Sequence, residues 1–264
     1  MGGPHQAARA VFLHGWCGHA DEAEHIRAAL PEQLFAPSWM PAPGSIDLEA
    51  WPQEQGPAMD AAMVQVADQI HRHVRQAVLE AGFAGSVLIG HSMGGALACL
   101  LAADPDIEAQ GLVLLDSSVP MPSQRKEATL QCMGNWVVRA AREGRLPAQA
   151  AWILDQPNRT TSFFHPREQG PARALIERRM AHSPVVEAAA SIGGGVQWPI
   201  ASALAKLRCP VWALAGDPGR LPVEGLRQAR PDAQIQVIPK SGHFLHVFAA
   251  KAVEDLIRST WPSG

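Results

Sequence analysis

The chain has 264 residues, 47% hydrophobic and 18% charged, a composition that fills a large core and excludes an intrinsically disordered polymer. Its 22 basic and 25 acidic side chains leave a formal charge of −3 with no basic block, so the phosphate attraction that nucleic-acid binding relies on is missing. Cys17, Cys99, Cys132 and Cys209 form no C-x-x-C pair, no apolar run reaches the about 18 residues of a membrane helix, and MGGPHQAARA lacks a signal-peptide core, which together predict a cytoplasmic protein with free thiols and neither membrane nor nucleic acid as partner.

In chain order, Ala10 to Leu13 reads as a buried strand ending at Gly15, Glu22 to Leu30 as a helix closed by Pro31, and Leu34 to Trp39 as a second strand. Pro37, Pro41, Pro43, Gly44, Pro52, Gly56 and Pro57 then mark a long loop over residues 37–57. From Ala58 to Ala81, Met59, Met63, Val66, Ile70, Val74 and Val78 recur at three- and four-residue spacing, which predicts one amphipathic helix. Strands follow at Ser86 to Ile89 and Gly111 to Leu115, with a helix from Met93 to Ala103 between them. Between Pro120 and Ile200 the strand rhythm stops, and helix-like segments are broken by Pro147, Pro157, Pro166, Pro171, Pro184 and Gly193 to Gly195. Strands resume at Leu207 to Ala215 and Gln234 to Ile238. This alternation predicts an α/β fold, a mostly parallel doubly wound sheet built from residues 1–119 and 201–264, with 120–200 inserted as a helical cap.

Gly90-His91-Ser92-Met93-Gly94 follows a predicted strand and opens a predicted helix. A serine on so tight a turn presents its hydroxyl clear of the backbone, and the helix aims its first N–H groups at the place where an oxyanion would form. A serine hydroxyl needs a base, and His243 in Lys240-Ser241-Gly242-His243-Phe244 follows the last predicted strand. The base needs a carboxylate, for which Asp217 after VWALAG and Asp116 after GLVLL both qualify. All four residues sit at carboxyl ends of predicted strands, where open α/β sheets gather their ligand sites. His14-Gly15-Trp16-Cys17 follows the first strand, so the Trp16 and Met93 N–H groups are candidates for an oxyanion hole. His14 reads as a turn-holding residue and Cys17 as a small one beside the pocket, while His19, His25, Asp21 and Glu22 read as a solvated helix start rather than a metal cluster. No metal or other cofactor is expected.

Together, HG after an early strand, GHSMGG at the turn and SGHFLHV near the end resemble the α/β-hydrolase family over nearly the whole chain, closest to small carboxylesterases and to enzymes that cleave acyl thioesters or carbon–carbon bonds. That resemblance implies an acyl-enzyme mechanism on a small, largely apolar acyl substrate, with Ser92 as nucleophile, His243 as base and Asp217 as its partner; some members place the carboxylate where Asp116 stands. The usual position of the acid, about three residues past the strand-ending glycine, is Gly219 here, and Asp217 comes immediately after Gly216. The cap would line the pocket with Trp136, Trp152 and Phe163, and His14 and Cys17 would border it. A serine at position 92 departs from the aspartate of haloalkane dehalogenases and epoxide hydrolases, and the absence of tyrosine departs from the cap of the latter. Two alternatives accompany this reading: a cofactor-independent dioxygenase acting on a heteroaromatic substrate through a His–Asp pair, and a ligand-binding member without catalysis.

Overall fold

Six parallel strands form one sheet in the order β2-β1-β3-β4-β5-β6. They are β1 (Arg9–Leu13), β2 (Gln33–Phe35), β3 (Val87–His91), β4 (Gly111–Leu115), β5 (Val211–Ala215) and β6 (Gln234–Val237). The computed structural model describes residues 9–30, 32–143 and 163–260. The four central strands are apolar runs buried on both faces, whereas the edge strands β2 and β6 carry Gln33, Gln234 and Gln236 and are only partly covered. Side chains alternate between two cores. Val11, Leu13, Leu88, Leu112, Leu114, Val211 and Ala213 face one way, and Ala10, Phe12, Ile89, Val113, Leu115, Trp212 and Leu214 face the other.

The helices are α1 (Pro57–Glu80), α2 (Met93–Ala102), α3 (Ser123–Glu143), α4 (Pro171–His182), α5 (Val185–Gly195), α6 (Ile200–Lys206), α7 (Val223–Ala229), α8 (Leu245–Phe248) and α9 (Ala250–Thr260). The segment after β1 forms 3₁₀ turns over Ala20–Ala29 with a break at Ile26, in place of the predicted α-helix. β2 ends at Phe35, short of the predicted Trp39, because the chain turns inward there: Trp39 is buried with its ring stacked 4.9 Å from that of His14. The proline-rich loop that follows is tied down by buried Ile46 and by the Gly44 N–H donating to Glu187 Oε1 at 2.8 Å.

Between β4 and β5 the described residues hold α3, α4, α5 and α6 and no strand. Gly193 to Gly195 do not break a helix; they finish α5, ten of whose eleven residues are buried. A Cβ on Gly194 would lie 2.0 Å from the Met63 carbonyl of α1, so the glycine permits a backbone-to-backbone approach that no other residue allows. Met59 and Met63 of α1 share an apolar cluster with Met133, Val137, Ile176 and Met180, which fastens the inserted helices to the sheet-covering layer. Among the described residues no helix is long and apolar enough to cross a membrane.

Candidate active site

The chain runs from β1 outward to β2 and returns to β3 on the other side of β1, so a crevice opens at the carboxyl ends of β1 and β3. Ser92 sits there, between His91 of β3 and Met93 of α2, with φ 54° and ψ −120°. A non-glycine residue in that region is strained by about 1–3 kcal/mol, and its surroundings enforce it. The Ser92 N–H donates to Leu115 O at 3.1 Å, and Gly90 and Gly94 leave no space for side chains: a Cβ would lie 2.5 Å from Gly94 O and 2.2 Å from Leu13 O respectively. A Cβ on Gly15 would lie 3.2 Å from that of Ser92, so this glycine lets the turn after β1 close over the serine and carry Trp16 beside it. Met93 is the first residue of α2, and its N–H therefore has no acceptor within the helix.

The β3–β4 register pairs His91 with Leu115, which sets Asp116 beside Ser92. The Asp116 carboxylate meets His243: Nδ1 and Oδ2 are 2.7 Å apart, both side chains being buried. The rest of the carboxylate accepts backbone N–H groups from Gly216 (3.1 Å), Arg220 (2.9 and 2.8 Å to its two oxygens) and Leu221 (3.2 Å). Burial pushes the Asp116 pKa upward, but the hydrogen bond and charge of His243, with these N–H groups, outweigh it and hold the carboxyl below its ordinary range. Burial also lowers His243 below the usual histidine value, against the opposing pull of Asp116, so the imidazole is neutral at pH 7. Asp217 lies elsewhere. It is exposed, and its backbone N–H donates to Ser241 O at 2.7 Å.

Ser92 borders two cavities. One, of about 310 Å³, is lined by Trp16, Phe163, Arg125, Arg220, Met180 and His243 among others; the second, of about 430 Å³, runs from Ser92 past Met93 and Ile192 to Trp198. Phe163 lies 5.3 Å from His243 between ring centroids, and Trp16 is held by its indole N–H donating to Ala188 O at 2.8 Å. His14, Cys17 and Trp136 line neither cavity. His14 is buried against Trp39, and Trp136 packs on the cluster of the inserted helices. Cys17 is buried in that same cluster, where burial pushes its thiol up to about 12. Trp152 lies outside the described residues.

A profile of the Alpha/beta hydrolase family matches residues 10–256. The chain belongs to the alpha/beta hydrolase family. No curated protein matches it in sequence. Among solved structures it is similar to MenH from S. aureus, at 15% identity and a TM-score of 0.69, covering 96% of this chain and 92% of that one. A thermophilic esterase from Thermogutta terrifontis matches at 21% identity and a TM-score of 0.69, with 96% and 88% covered. Est816, described as an N-acyl homoserine lactone degrading enzyme, matches at 18% identity and a TM-score of 0.60, with 96% and 93% covered.

Within this hydrolase fold the loop after β5 differs from the expected pattern by wrapping around the carboxylate of β4 instead of supplying one. A Cβ at Gly219, the usual position of the acid, would lie 2.6 Å from Asp116 Oδ1. The loop bearing His243 has supports outside the reach of motif reading. Glu168, buried, accepts the Gly242 and His165 N–H groups at 2.7 Å each, and Phe163 O accepts the His243 N–H at 2.7 Å. Beneath it, His91 Nε2 donates to the His243 carbonyl at 3.0 Å, and Glu22 pairs with His246 at 3.1 Å. Glu22 is therefore buried and bonded, not part of a solvated helix start, while Asp21 pairs with Arg179 at 2.7 Å. Among the described residues, Glu22, His91 and His246 are the group whose donor atoms, within 4.8 Å of one another, could hold a metal ion; the bonds just given use Nε2 of each histidine, and Nδ1 of each is buried without a hydrogen-bond partner among the described residues.

Proposed function

We propose that this hydrolase-family protein is a serine hydrolase that cleaves a carboxylic ester or a related acyl bond. The observation that carries the reading is the 2.7 Å bond between Asp116 and a buried His243 on the cavity that Ser92 enters from a strained turn. His243 Nε2 takes the Ser92 proton as Oγ attacks the carbonyl, and Asp116 holds the Nδ1–H tautomer and stabilises the imidazolium that forms. The N–H groups of Trp16 and Met93 receive the oxyanion, each contributing about 3 kcal/mol to lowering the barrier. His243 then protonates the leaving alcohol, and water, activated by the same imidazole, attacks the acyl-enzyme and regenerates Ser92. Two cavities meeting at Ser92 suit a substrate with a group on each side of the scissile bond. Methionines, Ile192, Phe163 and Trp198 make much of the lining apolar, in keeping with an acyl chain.

The test is labelling with a fluorophosphonate probe followed by peptide mapping. A single adduct on Ser92, lost in His243→Ala and accompanied by Ser92-dependent hydrolysis of an activated ester, is the expected result. Folded protein that takes no label, or turnover that consumes oxygen and survives Ser92→Ala, overturns it.

A further inference from the structure

Two guanidinium groups and no carboxylate line the His243-side cavity among the described residues. Arg220 has its guanidinium over the Phe163 ring, 4.3 Å from the centroid. Arg125, in the first turn of α3, is different. Its side-chain hydrogen bond among the described residues is a long one, 3.4 Å from Nη1 to the Arg220 carbonyl, and it makes no ion pair with any described residue. It is half-buried, and burial depresses its pKa, as expected of a cation that has given up water without an ion pair among the described residues. The carboxylate acting on it through space is Asp116, and that group is saturated by His243 and three backbone N–H donors. Around Arg125 the cavity offers the hydroxyls of Ser118 and Thr129, while Met121, Met133 and Met180 make the rest of the wall apolar.

A partly desolvated guanidinium without an ion pair among the described residues, on the cavity that Ser92 lines, is costly unless a ligand supplies a counter-charge. We propose that Arg125 binds a carboxylate carried by the substrate, so that the preferred substrate is an acyl compound with an apolar chain and an acidic end rather than a neutral ester. This deepens the hydrolase reading and rests on it. The planar fork of the guanidinium takes a carboxylate bidentately, which fixes the chain in the cavity as well as attracting it.

The experiment has two arms. In the first, adipate is titrated calorimetrically into the wild-type protein and into Arg125→Met, which needs no turnover; binding should weaken about tenfold or more in the variant. In the second, kcat/KM is compared for 4-nitrophenyl hydrogen adipate and 4-nitrophenyl hexanoate. The wild type should favour the acidic ester by about tenfold or more, the ratio should collapse in Arg125→Met, and Arg125→Lys should fall between. Raised salt should erode the wild-type preference, a readout that does not depend on any variant folding. Ser92-dependent hydrolysis of both esters with no preference overturns the carboxylate site and leaves the hydrolase reading intact. Adipate bound through Arg125 with neither ester cleaved supports the site and removes the hydrolase reading. No adipate binding and no turnover removes both.

Discussion

Among the described residues, Asp116 is the carboxylate that reaches His243, because the β4 and β5 strand ends are neighbours of different character. Asp116 leaves β4 with φ 45° and turns toward His243, and the β5 loop wraps it with three N–H donors. Asp217 leaves β5 toward solvent. Asp116→Asn should therefore lower kcat by about 10³- to 10⁴-fold, since an amide in that place favours the wrong imidazole tautomer. Asp217→Asn should stay close to wild type. Comparable losses in the two variants would contradict the assignment. The same geometry fixes the acid limb of the rate profile. Burial lowers His243, and the base must be neutral, so kcat/KM should rise with pH and level off with a midpoint below the about 6.5 of a free histidine. A midpoint above that value would mean that a different group is titrating.

The strand-to-helix unit from β3 to α2 was legible because all its signals are local: a buried run, Gly90, Ser92, Gly94 and an apolar helix within sixteen residues of sequence. The support of the histidine loop was not legible, because it is made by contacts distant in sequence. Glu168 reaches Gly242 from the inserted segment, and Glu22 reaches His246 from the turn after β1. A lone glutamate between prolines and glycines reads as solvated; only the fold shows that the buried Gly242 N–H and the part-buried His165 N–H both donate to it. The sequence reading favours Asp217 over Asp116 because both follow buried strands and the family resemblance puts the acid after β5, whereas the structure sets Asp116 against His243 and leaves Asp217 exposed. The reason for a glycine at position 219 appears only in the fold, where the loop closes on Asp116. Glu168→Ala should leave those N–H groups unsatisfied, costing about 2 kcal/mol of stability. As a positioning residue it should also lower kcat more than it raises KM, and Glu168→Gln, which keeps one acceptor oxygen, should recover part of both. A variant that loses stability with kcat unchanged would make Glu168 purely structural.

Among the described residues, burial lowers several histidines and raises two buried thiols, and these shifts fix a stability window. Burial lowers His14, His91 and His243 below their ordinary value. Below about pH 6.5 the unfolded chain binds protons at these sites that the folded chain refuses, so stability present above that pH is lost as pH falls. Asp116 and Glu22 are held low by their histidine partners, so they add a second loss as pH falls through the carboxylate range. On the alkaline side burial raises the Cys17 thiol to about 12 and raises Cys99 as well. Above about pH 9 the unfolded thiols ionise while the folded ones do not, and stability falls again. Thermal unfolding measured across this range should give a dome with its plateau between about pH 6.5 and 8.5. Each kcal/mol lost should move the midpoint by about 2–4 °C for a chain of this size. His243→Gln should flatten the acid side, because it removes one of the protons taken up on unfolding. An acid side unchanged in that variant, or a midpoint that rises as pH drops from 7 to 5, would mean that the burial of the histidines does not set the pH dependence.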